Sequence, residues 1–585
     1  MKSILERGAI AALLSLVLVA CGGGGGGGND AASGSSNPPP VVVEKPATRS
    51  DAARFLTQAT FGPTDADIDR VMAVGYAAWI DEQLALPTAS HRAHYELRDA
   101  EIKALNAANT AGPDQVFESF WKQAVTGPDQ LRQRMNFALS QIFVISLADS
   151  AVANEPRNVA AWMDMLGDKG ITNYRDLLES VSRHPVMGTY LSHLRNQKAN
   201  TATGRVPDEN YAREVLQLFS IGLIELNEDG SARLTGGNKT DTYAPTDVAG
   251  LARVFTGWSY ACPASPQAGC FFSGTVNNVG DPDRGFKPMV GYPEYHSTEQ
   301  KSFLSTTIPA QTTADPYASL KTALDALANH ANVGPFIGKQ LIQRLVTSNP
   351  SPTYVRDVAR VWANNGAGVR GDTKAVLKAV LMHAEARTVS DTSGKVREPV
   401  LRLSAFMRAF GAKSDTGNFR VGNTDNPGTQ LGQTPLRSPS VFNYYRPGYV
   451  APGTASAGRN LVAPELQIAH ETSAAGYVNF MRDNVASGVG LGNPAPLNRR
   501  DIQPDYTGEL AIATDSAALV DRVLGKLSYG TPAAALKTEI VTAVNSIVIP
   551  AATSSNQATV DAARRTRVNA AVLLVLASPE FTVQN

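Results

Sequence analysis

Helix start and stop signals recur from Ser50 to the end of the chain while alternating apolar and polar runs are few, which restricts the folded part to a mainly α architecture. "TDADIDRVMAVG" opens with Thr64 and Asp67 at capping-box spacing and closes at Gly75, where a left-handed residue can end a helix. "YAAWIDEQLALP" follows and stops before Pro87. "PDQLRQRMNFALSQIFVISLA" begins at Pro128 and repeats apolar residues at Leu131, Met135, Ala138, Leu139, Ile142 and Ile145, the period of a largely buried helix. Further helices are predicted near 157–166, 173–182, 247–256, 317–329, 333–346, 352–364, 372–382, 398–410, 516–526 and 562–577. About 258–310 and 411–460, Gly, Pro, Asn and aromatics crowd together and admit short strands at most. The expected fold is a multi-helix, bundle-like architecture with these two irregular insertions, and insertions of that length are usually functional or disordered.

The N-terminus sets the compartment. "MKSILERGAIAALLSLVLVAC" carries Lys2 and Arg7 ahead of a short apolar run, Ala9 to Ala20, which suits an export signal over 1–20 better than a permanent span. Its "LVAC" ending resembles the lipobox of bacterial lipoproteins, in which the cysteine, here Cys21, is lipidated and becomes the first mature residue. Gly22, not an aspartate, follows, which points to the outer membrane. The Gly/Ser/Pro-rich stretch 21–49 cannot bury enough apolar surface to fold and reads as a tether. At 585 residues the chain exceeds what one core usually supports, so the helical domain, 50–583, has room for two sub-cores, 50–257 and 311–583. Lys+Arg and Asp+Glu number 53 each, so no global field favours nucleic acid as a partner, and the membrane is reached through the lipid on Cys21. In an oxidising compartment Cys262 and Cys270 are expected to pair rather than bind metal, and closing that loop would stabilise by roughly 2.5 kcal/mol.

The densest polar segment is "PDENYAREVLQLFSIGL", 207–223. Projected as a helix, it places Ser220, Arg213, Gln217, Asn210 and Glu214 on one arc and Leu218, Tyr211, Val215, Phe219, Ala212, Leu223 and Leu216 on the other, with Asp208 as N-cap and Gly222 as terminator. Glu209 and Arg213 are spaced for a surface ion pair, and Glu214 lies about 140° from Glu209, too far round to form a facing carboxylate pair alone. Two readings stay open. The face is solvated, or it lines an internal cleft in which Arg213 is held between Glu209 and a carboxylate of another helix while Glu214 faces a ligand.

"ENYAREVLQLFSIG", preceded by "HPVMGTYLSHLRNQK" and followed by "DVAGLARVFTGW", resembles the core signature of a bacterial exported family known only as domain of unknown function 1800. The likeness extends through "AARFLTQATFGPT", "LRQRMNFALSQIFVIS", "NVGPFIGKQLIQRLVTSNPSP", "GKVREPVLRLSAFMRAFGA", "PLRSPSVFNYYRPGY" and "LASPEF". It implies a mainly helical exported protein, and the family has no established reaction. Many relatives carry "HNHF" where this chain has Ser140-Gln141-Ile142-Phe143, so a metal or proton-transfer role resting on those histidines is absent here. Relatives are often encoded beside an exported protein of the alkaline-phosphatase and sulfatase group, a partner the resemblance suggests. The family order also places His184 and His296 near the 207–223 segment.

Among the remaining motifs, His91 and His94 read as surface histidines, and "FNYYRPGY" offers Tyr444 and Tyr445 either as sugar-stacking surfaces or as a plug into the core. No G-x-S-x-G elbow, Walker loop, dinucleotide fingerprint or H-E-x-x-H occurs, and no cofactor or metal set is recognised. Two functions remain. One is a lipid-anchored envelope protein that binds or assembles an envelope or exported polymer or a protein partner, with Asn210, Tyr211, Tyr444 and Tyr445 as binding candidates. The other is an envelope hydrolase with Glu209, Arg213, Glu214, His184 and His296 as catalytic candidates.

Overall fold

Thr48 and Thr64 each start a helix by the same device. Their hydroxyls accept from the backbone N–H three residues on, and Asp51 and Asp67 return the bond to the cap residue. The second helix, Asp65–Val74, ends at Gly75, whose φ of 88° and ψ of 168° only glycine adopts easily, and Tyr76–Ala85 follows at once. The computed structural model describes residues 44–262, 267–529 and 533–585, so the export signal, Cys21 and most of the tether lie outside the described residues. The described chain is mainly α, with 26 α-helices and strands of two to four residues in antiparallel pairs.

Most predicted helices are present: Pro156–Lys169, Tyr174–Arg183, Pro316–Asn329, Pro352–Ala363 and Ser516–Leu527 all sit on sequence periods. The helix expected from Pro128 through 148 ends early, at Ser140. Beyond it Ile142 to Ile145 are buried in non-helical chain, held where Leu147 N–H donates to Leu436 O (2.7 Å) and Ser146 Oγ donates to Ser438 O (2.6 Å). The apolar period continues because the segment is buried on all sides, not because it is helical.

Gln130–Ser140 lies at the centre of the molecule with every residue buried, polar ones included. Its polar side chains bind backbone elsewhere: Arg132 donates to Leu84 O, Leu86 O and Gly167 O, Asn136 to Met163 O, and Arg134 to Arg344 O. One contiguous core runs from Ala52 to Phe581 and takes residues from both 50–257 and 311–583, so the two expected sub-cores are merged. A close crossing helps to join them. Ser404 Oγ donates to Phe61 O (2.9 Å), and a Cβ on Gly62, at φ 128°, would lie 2.6 Å from Ala405 Cα. Cys270, Phe271 and Tyr292 form a satellite cluster in the 258–310 insertion, where Cys262 and Cys270 are joined by a disulfide with Cα atoms 5.7 Å apart. The 411–460 insertion contributes Lys413–Ser414 to a three-stranded sheet, pairing with Arg500–Gln503, which pairs in turn with Val489–Gly492.

Candidate functional site

The polar segment forms a shorter helix than expected, Asn210–Gln217. Asp208 Oδ1 accepts from Asn210 N–H (2.8 Å), and the chain leaves the helix through Ile221 and Gly222, both donating to Leu216 O. Glu209, Asn210 and Arg213 are exposed, which corrects the expectation of a closed carboxylate–arginine cleft. Arg213 meets Glu209 alone, at 3.1 Å, and both side chains keep nearly half of their surface in water (46% and 44%). The inner face carries Tyr211, fully buried and so withdrawn from any ligand. It stacks on His193 with ring centroids 3.9 Å apart and donates to Ser182 Oγ (2.7 Å).

On the polar arc Glu214 is the charged exception, since Ser220, also buried, gives its hydroxyl to Val215 O. Glu214 is buried, its Oε2 has no hydrogen-bond partner, and burial pushes its carboxyl up against the partial pull of Arg213. Its charge is felt by Tyr190 and Tyr243.

The histidines stand apart from this group. His184 caps the Pro185–Tyr190 helix through Nδ1 (3.3 Å to Val186 N) and meets Trp162 edge-on, and burial lowers its pKa to about 3. His296 is held by Thr256 O (2.8 Å) and Ser319 Oγ (3.0 Å), and burial lowers it to about 4. No hydrogen bond or ion pair joins either to Glu209, Arg213 or Glu214 among the described residues. His193, not singled out in the sequence, donates from Nε2 to Ser182 O (2.8 Å) and is likewise lowered to about 4 by burial. His91 and His94 are buried, contrary to the surface reading, because the start of His91–Leu105 inserts into the core. His91 bridges Ser119 (2.9 Å) and Gln133 (3.0 Å), and His94 Nε2 lies 3.8 Å from Glu118. No group of three or more metal-ligating side chains occurs among the described residues.

What the segment does build is a cleft of about 420 Å³ one turn further on. Gln217 and the helix-ending Leu218, one turn beyond Glu214, wall the cleft together with Ile224, Phe336 and Phe442. The walls are fixed by Asn332. Its Nδ2 donates to Ile221 O (2.9 Å) and Ile224 O (2.8 Å), and its Oδ1 accepts from Leu226 N–H (2.9 Å). Gly222, at φ 72°, permits the closeness of Phe336, whose ring would lie 2.7 Å from an added Cβ. Gln141 and Ile142, from the chain just beyond the central helix, also line this cleft.

Under the cleft lies a buried ionic network. The Val333–Leu345 helix ends there, and its orphan carbonyls are taken by cations and an amide: Arg344 O accepts from Arg134 (2.7 Å) and Lys395 (2.9 Å), and Leu345 O from Gln584 (2.8 Å). Lys395 pairs with Glu465 at 3.0 Å and lies 3.9 Å from Glu398. Glu398 accepts from Gln141 (2.5 Å) and Gln433 (2.8 Å). Burial pushes Glu398 up, but Lys395, Arg134 and Arg344 together outweigh it and hold the carboxyl below its usual range. Burial raises Glu465. Tyr445 belongs to this core, under the Arg344 guanidinium (5.1 Å), and offers no free stacking face, while Tyr444 is partly buried and donates its hydroxyl to backbone within its own loop. Asn332, Arg344, Lys395 and Glu465 were not singled out in the sequence, because what joins them is tertiary packing and not local spacing.

No curated protein and no solved structure matches the chain. The model of the family described as protein of unknown function (DUF1800) matches residues 54–583, and the chain belongs to that family.

Proposed function

We propose that the protein is a lipid-anchored binding component of the cell envelope, tethered to the outer membrane through Cys21, whose cleft between the Asn210–Gln217 helix, the Val333–Leu345 helix and the 441–448 loop receives an apolar part of its ligand. The cleft carries this reading: it is concave, walled by apolar and aromatic side chains and supplied with a few polar groups at Gln217, Lys339 and Gln340. The ligand is an exported or envelope polymer or a protein partner, with an exported protein of the alkaline-phosphatase and sulfatase group as the partner to examine first. A neutral apolar dye such as Nile red tests the cleft. Saturable fluorescence that is lost in Leu223→Trp, a change at the exposed mouth, supports the reading, and dye binding unaffected by that change would remove it. The anchor is tested separately: Cys21→Ser should abolish palmitate labelling and release the protein from membranes.

A second reading, an envelope hydrolase, is favoured by one observation. Glu214 is buried with a raised pKa and an unpartnered oxygen, the condition of a general acid. Turnover of envelope-polymer fragments by the wild type and its loss in Glu214→Gln would favour it over the binding reading.

A further inference from the structure

The cleft is asymmetric in charge. Its charged lining side chains are Lys339, Arg344 and Arg446, and no carboxylate lines it among the described residues. We propose that it binds a single-chain acyl carboxylate, the carboxylate seated on the Lys339 ammonium and the chain lying along Leu218, Ile224, Phe336 and Phe442. This deepens the binding reading above and rests on it.

The three cations are not equivalent. Arg344 is spent within the protein, since its Nη1 and Nη2 donate to Gln141 Oε1 (3.0 Å) and O (3.3 Å) and its ring neighbour is Tyr445. Arg446 is exposed at the rim, stacked over Phe442 at 4.7 Å, where water and salt screen it. Lys339 is partly buried and has neither a hydrogen-bond nor an ionic partner among the described residues, and burial alone lowers its pKa. It lies on the helical face shared by Phe336, Gln340 and Gln343, so its ammonium opens among apolar and amide groups.

An ammonium taken partly out of water without a counter-charge is unfavourable, and a ligand that brings one negative charge relieves it. Lysine is a compact point charge, and no arginine fork is left open beside it, so the site matches one carboxylate better than a doubly charged phosphate. The apolar walls and the volume of about 420 Å³ then call for an aliphatic body attached to that charge.

Calorimetric titration of the full chain with dodecanoate, 1-dodecanol and butyrate, each below its aggregation concentration, tests this. Dodecanoate should saturate at one per chain, 1-dodecanol should bind at least about tenfold more weakly, and butyrate should not bind. Lys339→Met should weaken dodecanoate by about tenfold or more and leave 1-dodecanol unchanged, while Lys339→Arg should stay within about threefold of wild type. Dodecanoate binding equally to wild type and Lys339→Met overturns the proposal, as does 1-dodecanol binding wild type as tightly as dodecanoate. Nile red binding without dodecanoate binding overturns the ligand class and leaves the cleft reading in place. Binding of neither removes both.

Discussion

Glu209–Arg213 and Lys395–Glu465 are ion pairs of nearly the same length, 3.1 and 3.0 Å, in opposite surroundings. The first lies on the outer face of a helix with both partners in water. The second lies under the cleft, where the side chains keep 0% and 2% of their surface. An exposed pair four residues apart is worth about 0.3–0.5 kcal/mol. A buried pair is different in kind: it has lost its hydration, and removing one partner strands the other. The local density of charge around residues 207–214 is therefore a poor guide to where charge matters, and the consequential cluster is assembled from four separate stretches of chain, Arg134, Arg344, Lys395 with Glu398, and Glu465.

The largest effect is expected at the buried pair. Lys395→Met leaves Glu465 without its ion-pair partner and weakens the hold on Glu398, so unfolding in urea should show a loss of about 3–5 kcal/mol. Adding Glu465→Leu should recover much of it, because the double variant no longer buries an unpaired charge. A single variant as stable as wild type would erase the difference between the two regions.

Next comes Asn332→Ala, which removes two donated bonds and one accepted bond and leaves Ile221 O, Ile224 O and Leu226 N–H short of partners. The loss should be about 2–3 kcal/mol, with faster amide exchange confined to 221–226. Exchange unchanged there would mean that Asn332 does not hold the cleft wall.

These two sites show what the sequence carries and what it does not. Capping at Thr64 and Asp67 and the stop at Gly75 were legible because caps are local chemistry. The Glu471–Ser487 helix was not, because its buried positions include Ser473, Gly476 and Asn484, which leave no apolar period to read. The end of the central helix at Ser140 was missed for the opposite reason, since burial on all sides keeps the chain apolar after the helix has stopped. Within the candidate site, the amphipathic 210–217 helix could be read from its own residues. The burial of Glu214 beside an exposed Arg213 could not, because it depends on what packs against the helix, and neither could a cleft whose walls come from 141–142, 217–226, 336–344 and 441–448.

Glu214 sits between the two extremes, buried but unpaired. With its pKa raised, the folded state holds the proton more readily than the unfolded chain does. The stability this confers is full below the ordinary carboxylate pKa and is lost as pH rises through the folded value. Glu214→Gln cannot suffer that loss. The variant should therefore be the more stable at neutral pH, within about 1 kcal/mol, and the advantage should vanish in acid. Melts at pH 4 and pH 7 read the sign, and an advantage that grew on acidification would mean the carboxylate is stabilised rather than strained.

The smallest effect sharpens the comparison from its other side. Among the described residues Arg213 forms its only ion pair with Glu209, and both side chains are nearly half in water, so Arg213→Gln and Glu209→Gln should each change stability by no more than about 0.5 kcal/mol. What little there is should fade as salt rises to about 1 M, where screening acts over roughly 3 Å, while the Lys395→Met loss should persist because the ions of the bath do not reach it. The pair is thus separable from the network by salt alone, without a structure of either variant. A drop of several kcal/mol in Arg213→Gln that survives high salt would place a second carboxylate against Arg213 in solution, restoring to the outer face the closed network that the exposed side chains of Glu209, Asn210 and Arg213 deny it.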